Sequence, residues 1–316
     1  MKKKLAVFCH KGLGDGLISA VISNNFHQNN WDTHTYHNTM GSLQSWFPHL
    51  PFLPYPHSDA IAGVLSHYDL IVAFDHRTDP FLQKLIQEGK RQVPEQVRVV
   101  YPYPTKSIFQ LPYYEDVQMQ PEKSFVENLH NFCKEVMGLE KTTKNNGIIA
   151  PRDVRFRQYP NRVVFHVSSS REGKNWPIKK FIWLGKRLQK EGFTVAVLAG
   201  LEKEQAPFFF LEKEGFLVPR ITSLHDLAKY LYTSRYLVGN DSGLGHLASA
   251  LGLETLTIGR RKTEGLLWKP GWGQNIYLTP SSYIPNISGL RFRDTYWKRF
   301  ISKRRAYRAF QRLLLL

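Results

Sequence analysis

The chain is poor in cysteine, poor in acidic residues and free of long apolar runs. Its two cysteines, Cys9 and Cys133, lie in no CxxC motif, which excludes a disulfide framework and favours a reducing compartment. The apolar stretch near the amino terminus runs only from Leu5 to Cys9, too short for a secretion signal. No other stretch has the length of a membrane span, so we expect a soluble, cytoplasmic protein.

The shortage of acids leaves a strongly basic chain. Twenty-six acidic residues stand against 43 lysines and arginines, which gives a formal net charge of +17. Such a surface attracts polyanions, among them nucleic acid, anionic lipid and phosphorylated small molecules. Charge alone does not choose among these partners, and an ordinary basic surface is the plainer alternative.

The apolar residues are grouped in short runs separated by helical patterns. The segments "LAVFCH", "YDLIVAFDH" and "QVRVVYPYP" predict strands in the first half, and "RVVFHVSSS", "FTVAVLAG", "RYLVGND" and "LETLTIG" in the second. Alternation of strands with helices requires a parallel sheet covered on both faces. The sequence therefore predicts an α/β protein with two Rossmann-like domains, 1–150 and 151–295, because 316 residues exceed a single simple core.

The last segment, 296–316, is different in composition. Trp297, Phe300, Ile301, Tyr307 and Phe310 recur at roughly helical spacing, and basic residues fill most other positions. The pattern predicts a basic amphipathic helix. Two interpretations remain open: the helix attaches to an anionic membrane surface, or it packs on the body of the protein and exposes its cations.

The loop "KGLGDG" follows the first predicted strand. It lacks the third glycine of a GxGxxG dinucleotide site, and Asp15 stands where a pyrophosphate would approach. A carboxylate repels that anion, so a nicotinamide dinucleotide is a poor ligand for this loop. Asp15 is better suited to act as a base or to bind a hydroxyl, and the alternative is a helix cap.

Two loops of the second half are suited to a diphosphate. "HVSSSREGKNWP" offers the hydroxyls of Ser168, Ser169 and Ser170 with the charge of Lys174 just before a helix. A plain polar loop is the alternative.

"VGNDSGLGHLASALG" places Asp241 and Ser242 at a strand end, with Gly243 opening a helix and His246 inside it. The helix N-terminus favours an anion, and an adjacent acid can accept hydrogen bonds from sugar hydroxyls. Here the alternative is an N-cap formed by Asp241 or Ser242.

The three loops together resemble glycosyltransferase family 9, the heptosyltransferases of lipopolysaccharide core synthesis. The counterparts of its motifs are Gly14-Asp15, then His166 with Lys174, Trp176 and Pro177, then "NDSGLGHLASALG". The resemblance runs from the first strand to about residue 260. It implies the GT-B fold, two Rossmann-like domains facing each other across a cleft, with the last helix crossing back to the first domain.

The resemblance also implies roles. The first domain would bind the acceptor through Lys11 and Gly14, and Asp15 would be the base of an inverting transfer from ADP-heptose. No metal and no other cofactor is expected. The donor would be held by the second domain through Ser168, Ser169, Ser170, Lys174, Asp241, Ser242, Gly243 and His246. For His246 the alternative is packing, which a helical histidine in an apolar run favours.

The sequence departs from the family pattern at several positions. Lys11 and Gly12 stand where serines usually precede the GD pair, Val167 and Ser168 replace Pro-Gly after His166, and Gly245 replaces a common serine. These departures affect the prediction of which donor and acceptor are used more than the prediction of the fold.

The expected partners are therefore a nucleotide-sugar, an anionic lipid A–core glycolipid and the inner membrane surface, where the enzyme would be peripheral. Two rival classes remain. A nucleic-acid-binding protein would explain the charge but not the acids at strand ends, which repel phosphate backbones. A GT-B-shaped sugar-nucleotide epimerase or an inactive binder would keep the donor site without the transfer.

Overall fold

The structure is a computed structural model that describes residues 2–103, 106–169, 171–286 and 291–316. It divides into two compact units, Met1–Ile149 and Ala150–Leu316. Each unit contains one five-stranded sheet in which every described strand pair is parallel. The predicted pair of parallel α/β domains is confirmed.

The first domain has the strand order β3-β2-β1-β4-β5. Its strands are β1 (Lys4–Phe8), β2 (Asp32–Tyr36), β3 (Phe52–Leu53), β4 (Leu70–Phe74) and β5 (Val97–Val100). Its helices are α1 (Leu13–Gln28), α2 (Ile61–His67), α3 (Pro80–Gln92) and α4 (Phe125–Asn131), the last continued by a π-helical turn over Phe132–Val136.

The central strands of this sheet form from continuous apolar sequence. All five residues of β4 and four of the five residues of β1 are buried, as expected where helices cover both faces. Between them the register pairs Val7 with Val72 and Phe8 with Ala73, so the two strands end side by side. The loops that follow β1 and β4 therefore meet at one edge of the sheet.

The second domain has the strand order β10-β9-β8-β6-β7. Its strands are β6 (Tyr159–His166), β7 (Thr194–Leu198), β8 (Ser234–Asn240), β9 (Glu254–Ile258) and β10 (Asn275–Leu278). Its helices are α5 (Ile178–Gln189), α6 (Glu202–Gln205), α7 (Leu224–Tyr232), α8 (Gly243–Ala250), α9 (Lys262–Trp268), α10 (Phe292–Thr295), α11 (Trp297–Phe300) and α12 (Lys303–Leu313).

Each sheet has one point where the direction of chain progression reverses. In the first sheet it lies between β1 and β4, and in the second between β6 and β8. In open α/β sheets, ligands bind beyond the carboxyl ends of the strands that flank such a switch point. The two switch points are therefore the expected positions of ligand-binding sites.

The carboxyl-terminal segment differs from the single helix expected over 296–316. It is broken into α11 and α12 at Ile301, whose backbone is extended, and Ser302 caps α12 by accepting a hydrogen bond from the Arg305 N–H at 3.2 Å. The buried face of α12 belongs to the core of the second domain, where Phe310 contacts Phe193 and Tyr236.

The contacts of α12 with α5, β9 and β10 lie within the second domain. Burial of Ala306, Ala309, Phe310 and Leu313 also uses the apolar face that a membrane-inserted helix would need. Among the described residues, no helix is both long enough and apolar enough to cross a bilayer.

Candidate active site

Asp15 lies at the switch point of the first sheet, in the first turn of α1. The N-cap of this helix is Gly12, and no side chain caps it, so Asp15 is not the helix cap that the sequence left open as an alternative. Its side chain is 22% exposed. A partly exposed carboxylate at the carboxyl edge of a parallel sheet is available to a ligand.

The orientation of this carboxylate depends on Gly12. A Cβ at position 12 would overlap Asp15 Oδ2, although the φ of −72° at Gly12 would suit any residue. A side chain at position 12 would thus displace the carboxylate, which is an effect of space rather than of backbone conformation. Serine, the common residue here in the family that the motif resembles, would not fit beside the carboxylate in this position.

His10 and His76 are stacked beside Asp15. His10 Nδ1 lies 3.6 Å from Asp15 Oδ2, and the two imidazole rings are 3.7 Å apart at 18°. His10 follows β1 and His76 follows β4, so the stack spans the switch point. Burial, and then the charge of His10, lower the pKa of His76.

His37, just after β2, holds the N-cap in place. Its Nδ1 accepts hydrogen bonds from the Thr39 and Met40 N–H groups at 3.1 and 3.2 Å, so Nε2 carries the proton and donates to the Gly12 carbonyl at 3.0 Å. Burial lowers the pKa of His37, which favours this neutral tautomer. The turn that presents Asp15 is therefore fixed from a third strand.

Asp75, another acid at this edge, accepts a hydrogen bond at each of its carboxylate oxygens. Gln83 Nε2 donates to its Oδ1 at 2.6 Å, and the Tyr103 hydroxyl donates to Oδ2. Burial and then this carboxylate raise the pKa of Tyr103. Asp75 is thus a structural acceptor, whereas the Asp15 carboxylate is partly exposed and has His10 Nδ1 at 3.6 Å from Oδ2.

The residues predicted to bind acceptor differ in accessibility. Lys11 is exposed, while Gly14 is buried inside the first turn of α1. A ligand could reach the lysine side chain directly, but could meet Gly14 only through its backbone. Both assignments stay predictions.

The serine loop of the second domain is ordered by its own hydroxyls. Ser168 Oγ donates to the Ala199 carbonyl, and Ser169 Oγ donates to Asn175 Oδ1 at 2.6 Å. Ser170 lies outside the described residues. The two described hydroxyls therefore shape the loop rather than stand free for a ligand.

Lys174 and Asp241 meet across the second switch point. Their Nζ and Oδ2 atoms are 3.5 Å apart, with the lysine side chain 35% and the aspartate 15% exposed. Beside them the Trp176 N–H donates to Asn240 Oδ1 at 2.8 Å, which ties the loop after β6 to the end of β8. The predicted cation and acid are thus brought together.

The amino end of α8 carries buried polar atoms with unused hydrogen-bonding capacity. Ser242 is the N-cap but makes no side-chain capping bond, and Gly243 is the first helical residue. In the described part of the chain, Ser242 Oγ and Asn240 Nδ2 are buried without a partner. Buried polar atoms are normally satisfied, so donors in this position beside a helix N-terminus fit an anionic ligand.

The two histidines of the second-domain motifs are buried. His166 Nδ1 donates to the Leu198 carbonyl at 3.1 Å, and burial lowers the pKa of His166 to about 4. His246 lies within α8 with 5% of its surface exposed. His166 is a neutral packing residue of β6, and the ligand role of His246 stays a prediction.

Residues of the carboxyl-terminal segment hold the loop that carries Lys174. Trp297 Nε1 donates to the Gly173 carbonyl at 3.3 Å, and Lys298 Nζ donates to the Glu172 carbonyl at 3.3 Å. Trp176 Nε1 in turn donates to the Ile301 carbonyl at 2.9 Å. The loop is thereby fixed from both sides by chain more than 120 residues away.

The sequence predicted Asp15, Lys174 and Asp241 as site residues, and this stays a prediction. It did not single out the neighbouring His10, His76 and Asn240. His10 and His76 each lie two residues beyond the end of a strand and Asn240 ends one, and that position was the available signal. Across residues 2–103, 106–169, 171–286 and 291–316, no group of three or more histidine, cysteine or acidic side chains is placed to hold a metal ion.

Comparison with known proteins indicates the family to which the chain belongs. A family model described as glycosyltransferase family 9 (heptosyltransferase) matches residues 91–277, more than half of the chain. Lipopolysaccharide heptosyltransferase 1 of Salmonella typhimurium is 28% identical over 128 residues, which cover 39% of this chain. The chain aligns with 40% of the length of that relative.

Two solved Escherichia coli structures share the fold. ADP-heptose lipopolysaccharide heptosyltransferase II superposes with a TM-score of 0.67 at 14% identity, over 100% of this chain and 99% of the other. Heptosyltransferase WaaC with ADP gives a TM-score of 0.65 at 16% identity, over 98% and 99%. These likenesses show the GT-B fold, and with the family match they lead to one conclusion: the chain belongs to glycosyltransferase family 9.

Proposed function

We propose that this protein transfers heptose from ADP-heptose to an anionic lipid A–core glycolipid, with inversion at the anomeric carbon. The observation that carries the proposal is the Asp15 carboxylate at the first switch point, partly exposed and not used as a helix cap. Family membership supports glycosyl transfer, and the names of the similar proteins support heptose as the sugar.

In the proposed reaction, Asp15 accepts the proton of the acceptor hydroxyl as its oxygen attacks the anomeric carbon. The bond between that carbon and the diphosphate breaks, and ADP leaves with the electron pair. A base of this kind contributes roughly a hundred- to ten-thousandfold in rate. The proposal assigns acceptor and base to the first domain.

The donor is assigned to the second domain. The amino end of α8 and Lys174 would stabilise the charge that grows on the diphosphate, as preorganised donors and cations do. The unpartnered Ser242 Oγ and Asn240 Nδ2 support this assignment. Asp241 would accept hydrogen bonds from the sugar hydroxyls, which requires that it share its oxygens with Lys174.

The positive charge gives a second element of the proposal, a peripheral position on the inner face of the cytoplasmic membrane. Cations attract the enzyme to a surface of anionic lipid without insertion. The apolar face of α12 is buried, so contact would be electrostatic. The exposed cations of α12 are Lys303, Arg304, Arg308 and Arg312.

The test is Asp15→Asn, assayed by the gain in mass of a heptose-free lipid A–core glycolipid incubated with ADP-heptose. We expect transfer to fall at least about a hundredfold, while ADP binding by calorimetry is unchanged. Asp32→Asn, at the opposite edge of the same sheet, is the matched control and should retain transfer. Undiminished transfer by Asp15→Asn would refute the proposed base.

The same measurements separate the rivals. Thermal shifts with ADP-, UDP-, GDP- and CMP-sugars should favour the ADP-sugar. Turnover of the sugar without acceptor would indicate an epimerase, and donor binding with no product would indicate an inactive binder. Salt-dependent binding of DNA with no nucleotide-sugar binding would indicate a nucleic-acid-binding protein.

A further inference from the structure

We propose that His10, supported by the stacked ring of His76, positions the Asp15 carboxylate and limits transfer at acid pH. The inference rests on the proposed role of Asp15 as base. His10 is a positioning residue in this scheme, because it acts through Asp15 rather than on the substrate. Three observations carry the inference: the contact of His10 with Asp15, the stacking of His10 on His76, and the absence of a side chain at Gly12.

The stack gives His10 a fixed orientation. The rings lie 3.7 Å apart at 18°, a separation of van der Waals contact, and each histidine belongs to a different strand end at the switch point. Thr78 Oγ1 lies 3.2 Å from His76 Nδ1 and holds the second ring. The plane of the His10 imidazole is therefore set by parts of the chain that meet only in the fold.

The position of the Asp15 carboxylate depends on the orientation of His10. The backbone of the turn is fixed by His37, but the turn supplies no side chain that holds the carboxylate. Gly12 offers no side chain, and α1 has no side-chain cap. In the described part of the chain, His10 Nδ1 is the cation-forming atom in ion-pair range of Asp15 Oδ2, at 3.6 Å. The carboxylate leans over Gly12 toward His10, and a Cβ at Gly12 would prevent it.

The charges around the two stacked rings influence whether the rings are protonated. The stacked rings resist carrying two charges, since like charges in contact repel, and the pKa of His76 is lowered by burial and then by His10. The other titratable groups that face the pair are Asp15, His37, Asp75 and Asp79.

Protonation of His10 then has a direct effect on the base. A charged imidazole attracts Asp15 Oδ2 and competes with the acceptor hydroxyl for it. A neutral imidazole leaves that oxygen available while the stack still limits its movement. Transfer should therefore slow as the pH is lowered, because acid favours the charged form of an imidazole.

Three variants test this inference in the transfer assay. His10→Ala should lower kcat about ten- to a hundredfold with the KM for ADP-heptose unchanged within twofold, because misplacement of a catalytic group costs that much. His10→Asn keeps a nitrogen near the position of Nδ1, and should recover most of kcat at pH 8 and lose the acid decline. His57→Asn, in an exposed pair with Asp59 at 2.9 Å in the same domain, is the control and should match wild type.

A second measurement needs no substrate. The titration of His76, followed by NMR of its ring protons, should move to higher pH in His10→Asn, because a neighbouring positive charge is removed. In Asp15→Asn it should move to lower pH, because a neighbouring negative charge is removed. His57→Asn should leave it unchanged.

The outcomes separate this inference from the proposed function. The inference is overturned if the His76 titration is unchanged in both His10→Asn and Asp15→Asn. It is also overturned if His10→Ala has the kcat and pH profile of the control. Either result counts even when Asp15→Asn abolishes transfer. If Asp15→Asn retains transfer while the titrations move as expected, the coupled pair exists, but Asp15 is not the base and the positioning role falls with the proposed function.

Discussion

The candidate sites at the two switch points differ in the kind of polar group that each contains. In the first domain, the site is a titratable cluster around Asp15, held by the stack of His10 on His76 and by the space at Gly12. In the second, it is a buried polar set around Ser242 and Asn240, with one lysine–aspartate pair at the rim.

The difference in composition matches the difference in proposed chemistry. Proton transfer needs a group that titrates near working pH, and histidines near a carboxylate provide adjustable charge. Binding of a diphosphate needs donors that are already oriented, and buried N–H and O–H groups provide them without a change in protonation. We infer that pH acts on transfer through the first domain and that distant packing acts on donor binding through the second.

The largest expected effect comes from Phe310→Ala in α12. Removing this buried ring, which contacts Phe193 and Tyr236, should lower the free energy of unfolding by about 4 kcal/mol. Hydrogen exchange should show lost protection in β8 but not in β1, and ADP binding should weaken. Leu315→Ala, at a side chain 86% exposed, is the control. Equal loss of protection in β1 would show that the two domains do not respond separately.

The second effect is a pH dependence of stability caused by His166. Burial lowers the pKa of His166 to about 4, below the ordinary value of about 6.5, so only the unfolded chain binds this proton between the two values. Stability from this group is complete above about pH 6.5 and falls by about 3 kcal/mol as the pH drops to 4. Urea unfolding at several pH values measures it.

His166→Asn should keep the hydrogen bond to the Leu198 carbonyl and remove that part of the pH dependence. His57→Asn, at a side chain 85% exposed, serves as the matched control and should retain the wild-type slope. A slope shared by all three proteins would mean that His166 is not the group that titrates. The lowered pKa values of His27, His34, His37 and His76 act in the same direction in the first domain and contribute to the slope that remains.

Continuous apolar runs made much of this fold predictable, because buried parallel strands are apolar on both faces. Strand β2 was missed since its sequence, "DTHTY", has no such run. Thr33 and Thr35 are nevertheless buried, and the Thr35 hydroxyl lies 2.6 Å from that of Ser23. At Thr35, hydrogen bonding between side chains accompanies burial, and hydropathy cannot show it.

The site was predictable only where one loop contains it. Asp15 follows from a local glycine pattern, but His10 and His76 are 66 residues apart and meet through the pairing of β1 with β4. The hydrogen bond from Trp297 to Gly173, in the loop that carries Lys174, likewise belongs to a segment whose helix is broken at Ile301. The apolar periodicity of the segment predicted no such break. Long-range pairing and local breaks in periodicity are the information that residue types alone did not supply.

The third prediction concerns Gly12→Ala. The methyl group would displace the Asp15 carboxylate without straining the backbone, so kcat should fall about ten- to a hundredfold while unfolding changes by less than about 1 kcal/mol. Gly63→Ala, in α2 with no atom within 4 Å of the new Cβ, is the control and should keep full activity. Full activity in Gly12→Ala would show that transfer does not need this orientation of the carboxylate.

The smallest effect is expected from Gly245→Ser, which restores the residue common in the family motif. A Cβ at this position would lie 3.8 Å from Thr257 Oγ1 and 3.9 Å from Pro270 Cγ, ordinary contacts that need no movement. The gain in helix propensity over glycine, about 0.5 kcal/mol, offsets part of the cost of burying the hydroxyl. Unfolding should therefore change by less than about 1 kcal/mol, with ADP affinity within twofold of wild type.

Gly239→Ala is the contrasting variant for this position. Its Cβ would lie 2.8 Å from His166 Cβ and 3.0 Å from the His166 carbonyl oxygen, so β6 and β8 must separate to admit it. We expect a loss of about 1–3 kcal/mol. If Gly245→Ser were as harmful as Gly239→Ala, the amino end of α8 would be packed as tightly as the sheet. It would then have no freedom to receive a diphosphate, and the contrast between a rigid sheet and an accessible binding edge would fail in the second domain.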